Sequence, residues 1–227
     1  MLSLLKDHLS EEFFSILGPD FSEKDYTHLD LSSQKTSEVD LDLSTEFALE
    51  NYIHSYLNQK KAKAAFGGYL EQRNLYSRSS YFGMETTGNK RDIHLGLDIW
   101  APSGTLIYAP TDGIVHSLKN NTNHGDYGPT LVLEHHTHKL RWYSLYGHLA
   151  LDTLSKFNSR ERITKGEAFA SLGSNEVNGN YPPHLHYQLI FDLEGYIGDY
   201  PGVTSEGKLN YYSNNCPDPN LVLNFGI

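Results

Sequence analysis

Apolar side chains recur at Leu2, Leu5, Leu9, Phe13, Ile16 and Leu17, a helical spacing that Gly18 and Pro19 bring to a stop. Residues 20–43 break this pattern. They hold seven acidic residues among many Ser and Thr, a composition that predicts a linker or poorly ordered loop. Periodicity returns over 45–65, where Leu49, Tyr52, Ile53, Tyr56 and Leu57 form one stripe and Ser44 stands at the N-cap position. Gly67 and Gly68 are expected to end this second helix.

From about residue 80 the period shortens. The runs TLIYAP, GIVHSL, TLVLEHH, LRWYSLYGHL, EAFASLG and LHYQLI are rich in β-branched and aromatic residues, and turn signals at 102–104, 111–113, 120–128 and 165–166 separate them. Short strands at this spacing predict an antiparallel sheet, sandwich or barrel. The expected fold is therefore mainly β, an antiparallel β-sheet or sandwich over 81–227 behind a helical N-terminal extension with a polar linker over 1–80. The tail from 193 onward carries Gly, Pro, Asn and Tyr without periodicity and is expected to wrap the sheet as ordered loop.

Composition narrows the function. A chain of 227 residues can bury a sizeable core, and its formal charge of −10 argues against nucleic acid as a partner, which would call for clustered Lys and Arg. No apolar run approaches the roughly 18 residues of a membrane span. Lys6, Asp7, Glu11 and Glu12 interrupt what would be the apolar core of a secretory signal. The expected location is cytoplasmic, or periplasmic or extracellular if the chain is exported by a route not visible here. The single cysteine, Cys216, excludes an intrachain disulfide and a cysteine-based zinc site, so a metal would be held by His, Asp or Glu.

Three short elements carry candidate chemistry. In YPPHLHYQLI (181–190), His184 and His186 stand two apart, so a strand places both imidazoles on one face. Pro182 and Pro183 remove two backbone donors, which marks the strand start as an edge or rim. The pair suits either a metal ligand beside a base or two metal ligands. In HLGLDIWAPSGT (94–105), His94 and Asp98 would lie roughly 13 Å apart if fully extended, at about 3.3 Å per residue. They can share one ion only if the chain bends, and Gly96 is the residue that permits it. In RWYSLYGHLA (141–150), a buried-looking strand ends at Gly147 and His148, where a histidine can lean over a site. His136 and His138 in EHHTHK share spacing but fall at a hairpin turn. No G-x-S-x-G motif and no phosphate-cradling Gly-rich loop before a helix is present.

HLGLDIWAP, then LYGHL, then PPHLHYQL, in that order within a β-rich region, resembles the lysostaphin-like (LytM-type) zinc peptidases. GTLIYAPTDGIVHS is also similar to the strand–turn–strand that follows the first ligand motif in that family, and the likeness covers about 91–192. The resemblance implies one zinc ion per chain bound by His94, Asp98 and His186, with His148 and His184 in the catalytic positions. Two imidazoles and a carboxylate leave a fourth tetrahedral position for water or a substrate carbonyl. A free imidazole can take a proton or, once charged, stabilise an oxyanion. The implied activity is zinc-dependent endopeptidase cleavage of a peptide bond in peptidoglycan crosslinks or stem peptides. A different class of function is a catalytically inactive relative that uses the same groove to bind a peptide or partner. A histidine phosphocarrier ranks below both, because the H-x3-D element has no role in one.

Overall fold

The computed structural model describes residues 13–41, 45–78, 90–137 and 140–226. Eight strands form its central sheet: β1 (Tyr26–His28), β2 (Ala64–Gly67), β4 (Leu97–Trp100), β6 (Gly113–Asn121), β7 (Gly128–His136), β8 (Arg141–Gly147), β9 (Arg162–Ile163) and β11 (His184–Ile190). They lie in the order β1-β2-β4-β11-β8-β7-β6-β9. All neighbours run antiparallel except β1 and β2, which are parallel. Two short antiparallel ribbons complete the β structure. One joins β5 (Leu106–Tyr108) to β10 (Ala168–Ser171), and the other joins β3 (Ile93–His94) to β12 (Val203–Thr204). The molecule is mainly β, as the strand-length runs predict.

Alternation along β11 divides the molecule into two faces. Leu185, Tyr187 and Leu189 enter a core shared with Leu97, Ile99, Leu131, Leu133 and Tyr146, all buried. Full burial of each such side chain contributes roughly 1.5–3 kcal/mol. His184, His186 and Gln188 emerge on the opposite face and are equally buried. Strand β11 pairs with β4 on one side and β8 on the other, so its prolines mark a rim at the strand start but not an edge of the sheet.

The N-terminal region departs from expectation in several places. Residues 1–12 and Ser44 lie outside the described residues. Phe13 to Leu17 are not helical. They run beside β5, with Phe14 N–H donating to Pro110 O and Tyr108 N–H to Ile16 O. Phe13, Ile16 and Leu17 pack on the main core, so contact with the sheet overrides the helical spacing. Within the expected loop over 20–43, of which 42 and 43 lie outside the described residues, 20–41 contain β1 and a helix, α1 (Ser33–Glu38), which Ser32 caps by accepting from Lys35 N–H. The second helix, α2 (Glu46–Lys60), is capped by Thr45 and stops at Lys61, a left-handed residue with φ 54°. Beyond that stop the chain forms strand β2 rather than more helix, and Gly67 pairs with Asp98 across the ladder. Leu49 and Ile53 of α2 pack with Leu29, Leu31, Leu75, Trp100 and Tyr181 in a second core beside the sheet.

A short helix, α3 (Thr153–Lys156), lies between β8 and β9. The C-terminal tail also contains regular structure, in β12, α4 (Leu209–Asn215) and α5 (Asn220–Leu223). Tyr69 Oη donates to Cys216 O at 2.8 Å, tying the segment after β2 to the end of α4. Among the described residues, no helix is long and apolar enough to cross a membrane.

Candidate metal centre

His94 and Asp98 reach the same point because the chain breaks between β3 and β4 at Leu95 and Gly96. A side chain at Gly96 would have its Cβ 2.5 Å from His186 Cε1 and 2.6 Å from Nε2, so only glycine lets the bend pass under that ring. His186 arrives from β11, directly opposite Asp98 in the ladder. His94 Nε2 lies 2.8 Å from His186 Nδ1, and these atoms lie 3.4 Å and 3.3 Å from Asp98 Oδ1. The three residues form a buried group whose potential ligand atoms all lie within 4.8 Å of one another.

Hydrogen bonds on the far side of each ring set which nitrogen faces inward. His94 Nδ1 donates to Gly68 O at 3.0 Å. His186 Nε2 donates to Gln188 Oε1 at 2.9 Å, and the amide orientation is fixed because Gln188 Nε2 donates to Pro201 O at 3.1 Å and to Cys216 Sγ at 3.3 Å. In the neutral rings, the nitrogens that converge are then both proton-free. Asp98 Oδ1 is buried without a hydrogen-bond partner among the described residues. Three acceptors facing one another with no donor between them suit a cation, and two imidazoles plus a carboxylate suit zinc.

Asp98 Oδ2 is held by Arg73 Nη1 at 2.5 Å, while Arg73 Nε donates to Glu71 Oε2 at 2.5 Å. The guanidinium is 2% exposed and lies over the Trp100 ring, 5.7 Å from its centroid. Removing one partner of such a buried pair costs about 3–5 kcal/mol. Burial disfavours the Asp98 charge, but His94 and Arg73 outweigh it and hold the carboxyl well below its usual range. Burial also pushes His94 well below the ordinary imidazole value, against the pull of Asp98.

His148 and His184 stand beside this group with ring centroids 4.1 Å apart. His148 follows β8 in the left-handed region, φ 62°, where a non-glycine residue carries strain of about 1–3 kcal/mol. The bonds from His148 N–H to Tyr127 O and from Gly173 N–H to His148 O pin that conformation. His148 Nδ1 donates to Asn178 O at 2.7 Å and His184 Nδ1 to Pro182 O at 2.8 Å. Each ring therefore turns a bare Nε2 away from its carbonyl partner, and His184 Nε2 lies 3.9 Å from Asp98 Oδ1. Burial lowers both imidazoles, His148 strongly, with neighbouring His184 adding to the effect at His148 and Asp98 opposing it at His184.

All five residues singled out from sequence thus line one cavity of about 180 Å³. Leu31, Leu49, Leu75, Tyr76, Tyr127, Tyr181 and Tyr200 line the same cavity. His136 pairs with Glu134 on the surface, away from this site, and His138 lies outside the described residues. Sequence reasoning missed Arg73, Tyr127 and Gln188. Gln188 could have been found, since it continues the 184, 186 alternation on the same strand face. Arg73 offered no such signal.

Comparison with known proteins agrees with the motif reading. Residues 92–195, just under half of the chain, match the model of peptidase family M23. The chain is 32% identical over 98 residues to the peptidoglycan DD-endopeptidase ShyC of Vibrio cholerae, covering 43% of this chain and 20% of that protein. It is 31% identical over 125 residues to the DD-carboxypeptidase/endopeptidase Mpg of Neisseria meningitidis, covering 54% and 26%. The chain thus spans about a fifth to a quarter of the length of these relatives. Among solved structures, the lysostaphin catalytic domain of Staphylococcus simulans aligns with TM-score 0.38 at 18% identity, over 70% of this chain and 96% of that one. A zinc-containing peptidase from Vibrio cholerae aligns with TM-score 0.36 at 23% identity, over 48% and 30%. Residues 92–195 are thus similar to peptidase family M23.

Proposed function

We propose that this chain is a zinc-dependent endopeptidase that hydrolyses a peptide bond in peptidoglycan crosslinks or stem peptides. The observation that carries the reading is the convergence of three proton-free acceptors, on His94, Asp98 and His186, around a buried and otherwise unsatisfied carboxylate oxygen. The activities named for the matched relatives supply the substrate class. Such a substrate places the chain's work in the periplasm or outside the cell.

When bound, zinc would polarise the scissile carbonyl and acidify the attacking water. The chain's own residues do the rest. Gly68 O and Gln188 Oε1 hold the ligating rings in the required tautomers. His148 and His184 each keep a proton-free Nε2, because burial depresses their basicity and Nδ1 is committed to a carbonyl. One of the two takes the proton from attacking water. The other, once protonated, stabilises negative charge on the carbonyl oxygen or passes a proton to the leaving amine. Leu31, Leu49 and Leu75, which line the same cavity, would limit bulk water around that exchange.

The test is zinc analysis of unchelated protein combined with digestion of isolated peptidoglycan, product masses locating the cut bond. About one zinc per chain and a single type of new terminus are expected. His186→Ala should lose the metal, whereas His148→Ala and His184→Ala should keep it and stop cutting. An empty wild-type site refutes the reading. Tight peptidoglycan binding with no turnover at saturating zinc would instead make the chain a binding module.

A further inference from the structure

We infer that Arg73, which lies outside the family-matched segment, is a positioning residue of the metal centre and makes the stretch after β2 part of that centre. This inference rests on the metal reading above and extends it to a residue upstream of residues 92–195.

The guanidinium touches the outer contacts of two ligands at once. Its Nη1 holds Asp98 Oδ2 at 2.5 Å, which leaves Oδ1 as the oxygen directed at the imidazole nitrogens. Its Nη2 packs on Gly68, the residue whose carbonyl accepts from His94 Nδ1. A Cβ at Gly68 would sit 1.9 Å from Nη2 and 3.0 Å from His94 Nδ1, so the three groups are in direct contact. Gly68 also has φ 103°, a conformation that side chains rarely adopt.

The plane of the guanidinium is fixed from three sides. Glu71 accepts from Nε, and Glu71 itself accepts from Leu31 N–H at 3.1 Å, which ties it to the second core. The Trp100 ring supports the guanidinium from below, and Trp100 and Asp98 lie on the same strand. A planar fork with two donors committed to two carboxylates resists rotation in a way that a point charge does not. Free to turn, the Asp98 carboxylate could present either oxygen or both. Locked by Arg73, it offers one. Outer contacts of this kind typically change metal affinity by about 10–100-fold when removed.

The experiment measures zinc affinity by chelator competition, together with the visible spectrum of the cobalt-substituted protein, for wild type, Arg73→Gln, Arg73→Lys and Gly68→Ala. The expected result is a zinc Kd raised about 10–100-fold in Arg73→Gln. A smaller loss is expected in Arg73→Lys, which keeps the charge but cannot serve both carboxylates. Gly68→Ala should also lose affinity, by pushing on Nη2. The cobalt bands should shift in all three as the carboxylate changes its mode of binding. Melting curves without metal separate a scaffold role from a positioning role, since a scaffold role lowers the metal-free melting temperature and leaves the Kd and cobalt bands in place. A Kd within about fivefold of wild type with unchanged cobalt bands overturns the inference. If Arg73→Gln does not fold, the same threshold is read on Arg73→Lys. A wild-type protein that binds no zinc would overturn the proposed function as well, whereas an indifferent Arg73 would overturn this inference alone.

Discussion

Gln188→Leu isolates the contact that orients His186. The replaced side chain is fully buried and makes three polar contacts, accepting from His186 Nε2 at 2.9 Å and donating to Pro201 O and Cys216 Sγ. Leucine fills similar space and makes none of them. His186 Nε2–H then has Tyr127 Oη at 3.4 Å as its nearest alternative, a long contact to a hydroxyl that already donates to Tyr200 O. The imidazole can escape this by moving its proton to Nδ1, the nitrogen that faces His94 and Asp98, and in that tautomer it cannot ligate. The expected outcome is a zinc Kd raised about 10–100-fold, or about 1.4–2.8 kcal/mol. The orphaned Pro201 carbonyl should cost a further 1–3 kcal/mol or so in folding stability, metal or not. Gln188→Glu provides the contrast. A carboxylate still accepts from Nε2–H and preserves the tautomer, so zinc affinity should stay near wild type while stability falls through the new buried charge. Chelator competition reads the first quantity, and denaturant titration in the presence of chelator reads the second. If Gln188→Leu binds zinc with wild-type affinity, the hydrogen bond does not set the ring and the reasoning fails.

The same geometry supports three more expectations. Gly96→Ala should displace the His186 ring and lose zinc, with overpacking costing about 1–3 kcal/mol in chemical denaturation, and unchanged affinity would show that the bend tolerates a Cβ. His148→Gln should retain zinc while peptide cleavage falls about 10²–10⁴-fold, and a proportionate loss of metal would move His148 into the ligand set. In metal-free protein, His94, His148 and His184 are all depressed, so their neutral forms favour folding at pH above the unfolded histidine value of about 6.5. Stability should fall as pH drops below that value, and His148→Gln should flatten the slope. Melting temperatures from pH 8 to 5 in chelator check this, and an identical slope in the variant would refute it.

Strands β5 to β8, β10 and β11 were legible because each run shows β-branched or aromatic enrichment between turn residues. Among the site residues, His184 and His186 were tied by a period of two, and His94 and Asp98 by a spacing that required a bend. The remainder was hidden for physical reasons. Ala64 to Gly67 is too short and too small-chained to show alternation, and it comes after a helix whose stop signal reads the same as its own. Tyr26 to His28 sits within an acidic, Ser-rich stretch whose polarity masks an edge strand. Phe13 to Leu17 keeps helical spacing, but the Ile16 carbonyl and Phe14 N–H are consumed by residues 108 and 110, which no local pattern announces. Helix α4, with its run of Asn and Tyr, has weak intrinsic propensity and forms against tertiary neighbours. Arg73 carries a charge, and a charged residue in a polar stretch reads as surface until its two carboxylates are seen.

The bond from Tyr69 to Cys216 joins residues 147 positions apart in the chain, and Cys216 in turn meets Gln188 behind His186. Closing a loop of that length carries a large entropic cost before any contact repays it. The outer support of the centre is therefore expected to form after the local hairpins of β6, β7 and β8, an order that pulse-labelling hydrogen exchange would check. During synthesis, a ribosome would have to release Cys216 before His186 gained its full backing. A chain cut short within the last turns of α4 would keep most of its sheet and all five histidine and aspartate side chains, yet lack the clasp that completes their order.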